Sequence, residues 1–113
     1  MVSGINSSLA ALFTFGKKLS NTAGNVANVN TDGYKKRVAT IKEDSAGQPE
    51  LDLRTSDEPG ALIQENGVVT ETSNVDLAEE LPQMIVTQRS YEANIKALET
   101  QAQVLKSTID ILA

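Results

Sequence analysis

The feature that most constrains this chain is an apolar repeat near its C-terminus. Leu77, Leu81, Met84, Gln88, Tyr91, Ile95, Leu98, Ala102, Leu105, Ile109 and Leu112 alternate spacings of four and three. That is the heptad pattern of a helix packing along its length on another helix. A helix over residues 76 to 112 is roughly 55 Å long at about 1.5 Å rise per residue, too long for a small globule. "SNVD" supplies Ser73 or Asn74 as the N-cap, with Asp76 completing a box-like pattern. Pro82 predicts a kink, or a helix whose main body begins there. Gln88 is the one polar seam position, either a tolerated flaw or a residue that sets register.

A second repeat lies at the other end. Val2, Ile5, Leu9, Leu12, Gly16, Leu19, Ala23, Val26 and Asn30 follow the same alternation, with Gly16 and Asn30 as weak points. Gly33 then offers a left-handed or turn position to end the helix. The repeats give a mainly α fold: two long helices paired as an antiparallel coiled coil, with a small β-hairpin insert between them. The expected organisation is an N-terminal helix and turn over 1–32, the insert over 33–72 and the C-terminal helix over 73–113. In the insert "RVATIKE" alternates like a strand, "SAGQP" and "DEPG" read as turns, and Asn66-Gly67 is a two-residue hairpin turn.

Composition excludes more than it selects. The chain has no Cys and no His, which removes disulfides, thiol nucleophiles, Cys/His zinc sites and the commonest general base. Neither catalytic, cofactor nor metal residues are expected, and the chain does not read as an enzyme. The acid pairs Asp57-Glu58 and Glu79-Glu80 lack a matching base and read as a turn and a helix start. A net charge of -5 argues against a nucleic-acid footprint. No stretch reaches the roughly 20 apolar residues of a membrane span, and the N-terminus does not read as a cleaved signal peptide. With two Phe, two Tyr and no Trp, the chain depends on aliphatic seams for burial. Phe13, Phe15, Val29, Ile85, Val86, Val104 and Ile111 lie off those seams and call for further partners. A protomer that orders against its neighbours follows from this surplus.

"NTAGNVANVNTDGYKK", residues 21 to 36, resembles the N-terminal signature of bacterial flagellar rod and hook proteins. "ETSNVDLAEELPQMIVTQRSYEANIKALETQAQVL" resembles the C-terminal signature of the same axial family. The resemblance implies paired terminal helices forming an inner tube, and subunits stacked into a helical shaft that transmits torque. It implies a structural subunit of the basal body rod, most like the short proximal-rod proteins. Such proteins pass unfolded through the flagellar type III export apparatus without signal cleavage. They sit in the periplasm-spanning rod beside copies of themselves and other rod and hook-basal body proteins, with no nucleic acid and no direct membrane insertion. A small helical adaptor or export chaperone for flagellar proteins is the alternative. In the family picture Asn21, Asn25, Asn28, Asn30 and Gly33, with Gln88, Arg89, Tyr91 and Asn94, become candidates for contacts between subunits. Leu9, Leu12, Leu19, Val26, Leu81, Met84, Ile95, Leu98, Leu105 and Ile109 become the helix seam.

Overall fold

A computed structural model describes residues 2–113, with the side chain of Val2 excluded. Met1, where the expected N-terminal segment begins, and the Val2 seam side chain thus lie outside the described residues. The element order is α1 (Val2–Ala27), β1 (Arg37–Glu43), β2 (Pro49–Thr55), β3 (Leu62–Glu65), β4 (Val68–Glu71) and α2 (Leu77–Leu112). The molecule is a rod itself, 79 × 26 × 14 Å.

The expectation of a mainly α chain with one hairpin insert is overturned. Between the helices stand two separate antiparallel hairpins, β1–β2 and β3–β4, each a two-stranded sheet. β1 pairs with β2 from Arg37↔Thr55 to Glu43↔Pro49. Asp44 closes this hairpin: its Oδ1 accepts the Ala46 and Gln48 N–H groups at 2.8 and 2.9 Å. Gly47 takes φ 75 in the same turn, where a side chain would be strained. β3 and β4 are joined by Asn66-Gly67, with φ 52 and 80. Two successive positive φ values are what a type I′ turn demands, and Asn-Gly supplies them at the least cost.

Both helix boundaries differ from the expected ones. α1 stops at Ala27, and Asn28 to Thr31 continue as irregular turns, so Asn30 lies beyond the helix. α2 starts with Asp76 as N-cap, its Oδ1 accepting the Ala78 N–H at 2.9 Å, rather than with Ser73 or Asn74. Pro82 sits inside a single helix running from Leu77 to Leu112. It is past the first turn, so its missing N–H leaves the Ala78 carbonyl without the usual helical donor. Glu79 and Glu80 in the first turn complement the positive end of the helix dipole.

The helices lie side by side and antiparallel. Ser8 donates to Gln101 Oε1 at 3.1 Å near one end, and Asn25 donates to Glu80 near the other. The most deeply buried helix positions are not those of the apolar repeat. The buried positions are Ser8, Thr14, Thr22 and Asn25 on α1 and Glu80 and Thr87 on α2. All but Thr14, which bonds to the first hairpin, lie one residue before a position of the apolar repeat, a rotation of about 100° about the helix axis. Polar residues 80, 87, 94 and 101 recur at heptad spacing, and like Met84, Tyr91, Leu98 and Leu105 they are buried or half-buried. Among the described residues the only buried apolar side chain is Val75, at 9% exposure.

Candidate assembly surface and its internal latch

The Asn residues of 21 to 36 weaken a helix because their side chains compete for backbone groups. Here that competition becomes tertiary structure. Asn25 is 1% exposed and makes four hydrogen bonds. Its Nδ2 donates to Arg37 O at 2.9 Å and to Glu80 Oε2 at 3.3 Å. Its Oδ1 accepts from the Tyr34 hydroxyl at 3.1 Å and from Arg37 N–H at 3.0 Å. An amide side chain has two donors and two acceptor sites, so all the capacity of Asn25 is used within the protomer. Asn21 Nδ2 adds a second donor to Arg37 O at 2.7 Å. Thr14 Oγ1 donates to Pro49 O at 2.9 Å. Three α1 side chains thereby hold both strands of the first hairpin against the helix.

The stretch before α2 completes the latch. Asn74 Oδ1 accepts Lys36 N–H at 2.6 Å, its Nδ2 donates to Glu58 O at 2.8 Å, and its own N–H reaches Tyr34 O at 3.2 Å. Gly33, at φ 71, donates its N–H to Glu71 O at 2.8 Å. Two ion pairs cross the same junction, Lys35 with Glu71 and Lys36 with Glu79. The Lys35 hydrogen bond, with the Gly60 N–H, holds the Glu71 carboxyl below its ordinary range. The Glu79 hydrogen bond raises the Lys36 ammonium above its ordinary value. Gly60 is tightly enclosed: a Cβ there would stand 1.9 Å from Thr72 O.

The other candidate residues lie elsewhere. Asn28 donates to Gly24 O at 2.8 Å and accepts from Thr31, closing the end of α1, while Asn30 is exposed. Gln88 is exposed and donates to Glu92 at 3.2 Å; Arg89 is exposed beside it. Tyr91 is half-buried against Gly16, and Asn94, half-buried, donates to Ser90 O at 2.8 Å. Of the apolar repeat, Leu12, Leu19, Val26, Met84, Ile95, Leu98 and Leu105 are half-buried, whereas Leu9, Leu81 and Ile109 are exposed. Sequence reasoning overlooks Glu80, Thr22, Thr87, Asn74 and Tyr34. The signal that could have found the first three is a polar heptad lying one residue from the apolar one.

The outside of the rod is the apolar side. Phe13 is 71% exposed, and Leu62, Ile63, Val68, Val69, Ile85, Val86, Ile109, Ile111 and Leu112 are each more than half exposed. Where such residues gather, as on the second hairpin, they mark a surface suited to meeting another protein. No helix of the described residues is long and apolar enough to cross a membrane. Among the same residues no acidic group is arranged to hold a metal ion.

Residues 65–111 match a family model described as flagellar basal body rod FlgEFG protein C-terminal. The flagellar hook protein FlgE of Escherichia coli (strain K12) is 46% identical over 46 residues, 41% of this chain and 11% of that protein. The flagellar basal-body rod protein FlgG of Buchnera aphidicola subsp. Baizongia pistaciae is 41% identical over 63 residues, 56% of this chain and 23% of that protein. Its counterpart from Buchnera aphidicola subsp. Acyrthosiphon pisum is 58% identical over 36 residues, 32% of this chain and 14% of that protein. The matched stretch therefore spans about a tenth to a quarter of these relatives. The class these matches define is that of flagellar rod and hook components, and residues 65–111 are similar to the C-terminal part of that family.

Proposed function

We propose that this chain is a structural subunit of the flagellar basal body rod that assembles with copies of itself and with other rod and hook-basal body proteins. The observation that carries this reading is the inverted distribution of its side chains. The buried helix positions are polar, and many large apolar side chains are exposed. A lone protomer of this kind leaves much of its hydrophobic driving force unused, and that surplus is available to neighbours. The two small hairpins add little girth to the paired helices, which suits a thin proximal shaft. In that setting the subunit passes torque along the axis, spans the periplasm within the rod, and reaches it through the flagellar export apparatus.

The test is location. A strain lacking the chain should be non-motile, and basal bodies isolated after complementation should contain the chain in the rod by cryo-electron microscopy. Recovery of the chain only in soluble, stoichiometric complexes with another flagellar protein would instead establish the chaperone alternative. Light scattering on the purified chain separates the two further, since a rod subunit should associate in open-ended fashion.

A further inference from the structure

The β3–β4 hairpin has no packing partner of its own. Every residue from 61 to 69 is exposed, and it stands away from both helices. An isolated two-stranded hairpin is at best marginally stable in water, so an arm this apolar calls for a binding site. Opposite residues of a hairpin share a face. The pairs Leu62↔Glu71 and Gln64↔Val69 form one face, and Glu71 ties that face to Lys35 and Gly60. The pairs Ile63↔Thr70 and Glu65↔Val68 form the other, free face.

A groove of matching character runs between α1 and the first hairpin. It has a volume of about 510 Å³, and its walls include Lys17, Gly24, Arg37, Leu51 and Leu53, with Glu50 as its acid. Neither Lys17 nor the Arg37 side chain has an ion-pair partner among the described residues, and neither does Glu65. The groove thus offers two unpaired cations beside two leucines, and the arm offers an unpaired carboxylate between Ile63 and Val68.

We propose that the β3–β4 arm of one copy docks in the α1/β2 groove of a second copy. Glu65 faces Lys17 and Arg37, and Ile63 and Val68 cover Leu51 and Leu53. Arm and groove are different patches, so the contact is head-to-tail: the second copy's arm remains free for a third. Such a contact yields a helix or a ring rather than a closed dimer. The proposal rests on the self-assembling reading above and specifies one of its contacts.

The absence of native Cys allows a direct test. Full-length chains carrying Val68→Cys and Leu53→Cys are mixed under associating conditions and oxidised. The expected product is a disulfide-linked heterodimer, and a chain with both substitutions should give a covalent ladder. Glu65→Lys should lower cross-linking about tenfold through like-charge juxtaposition, and a partner bearing Lys17→Glu and Arg37→Glu should restore it. Circular dichroism of each variant verifies the fold. Assembly without the 68–53 link overturns the proposal and leaves the rod assignment standing, as does a link formed by Leu53→Cys alone. Wild-type chain that never self-associates and never enters basal bodies overturns both.

Discussion

Asn25→Ala tests the latch most directly. The substitution deletes four hydrogen bonds at once, to Arg37 N–H, Arg37 O, Glu80 and Tyr34. Arg37 O keeps Asn21 as a donor, so three groups are left short, of which the buried Glu80 carboxylate is the most costly. A typical bond contributes about 0.5–1.5 kcal/mol net, and a stranded buried group costs about 1–3 kcal/mol. Water entering the vacated space recovers part of this, so a loss of about 2–4 kcal/mol is expected. The measurement is urea unfolding followed by circular dichroism, with hydrogen exchange at the Arg37 amide as a local reporter. The amide should lose protection in step with global stability. Asn25→Asp, nearly isosteric, should be worse at neutral pH because it sets a carboxylate against Glu80, and acidification should relieve it. A loss below about 0.5 kcal/mol in the Ala variant, the size of an ordinary surface change, would refute the claim that Asn25 joins the two ends of the chain.

The remaining predictions concern other parts of the junction and the helix pair. Gly60→Ala should destabilise by about 3 kcal/mol or more, because backbone rather than a movable side chain blocks the new Cβ; thermal unfolding checks it. Glu71 has a folded pKa below its ordinary 4.5, so its contribution is present above that value and lost as pH falls through the folded value. Protection of the Gly60 amide, measured against its intrinsic exchange rate, should therefore fall on acidification, and Glu71→Gln should blunt that response. Lys36, raised above 10.5, contributes fully below that value and loses its contribution as pH rises through the higher folded value, which an alkaline titration of stability should show. Leu98→Asp, at a half-buried position of the helix contact, should abolish assembly and motility while export continues; secretion assays and swimming plates measure the two separately.

The parts of this fold legible in the sequence are those written in local chemistry. Both helices follow from three-four spacing, and the Asn66-Gly67 turn follows from its need for positive φ. β2 goes unread because Pro49, Glu50, Asp52 and Arg54 obscure the alternation of Leu51 and Leu53. The rotation of the helix contact cannot be read from apolar spacing. That spacing locates the apolar residues, whereas a single protomer buries Ser8, Thr22, Asn25, Glu80 and Thr87. The roles of Asn25 and Asn74 depend on partners 55 and 38 positions away, Glu80 and Lys36. Such pairings are set by tertiary geometry and leave no mark on either local segment.

The antiparallel pairing also fixes the order in which the chain can gain structure. Residue 8 bonds to 101, and residue 25 bonds to 80, so the helix contacts have sequence separations of 93 and 55. Helix formation within α1 is local and fast, and its side-chain hydrogen bonds to Arg37 and Pro49 can dock the first hairpin early, but the pairing with α2 waits for the far end of the chain. A chain delivered end-first, from a ribosome or through any narrow channel, therefore lacks the helix pair until most of its length has emerged. The α1–hairpin contact and the second hairpin are the units available earlier, and a two-stranded hairpin is too small to hold the chain folded by itself. Completion of folding is thus triggered by arrival of the last helix, at the place where the chain is released.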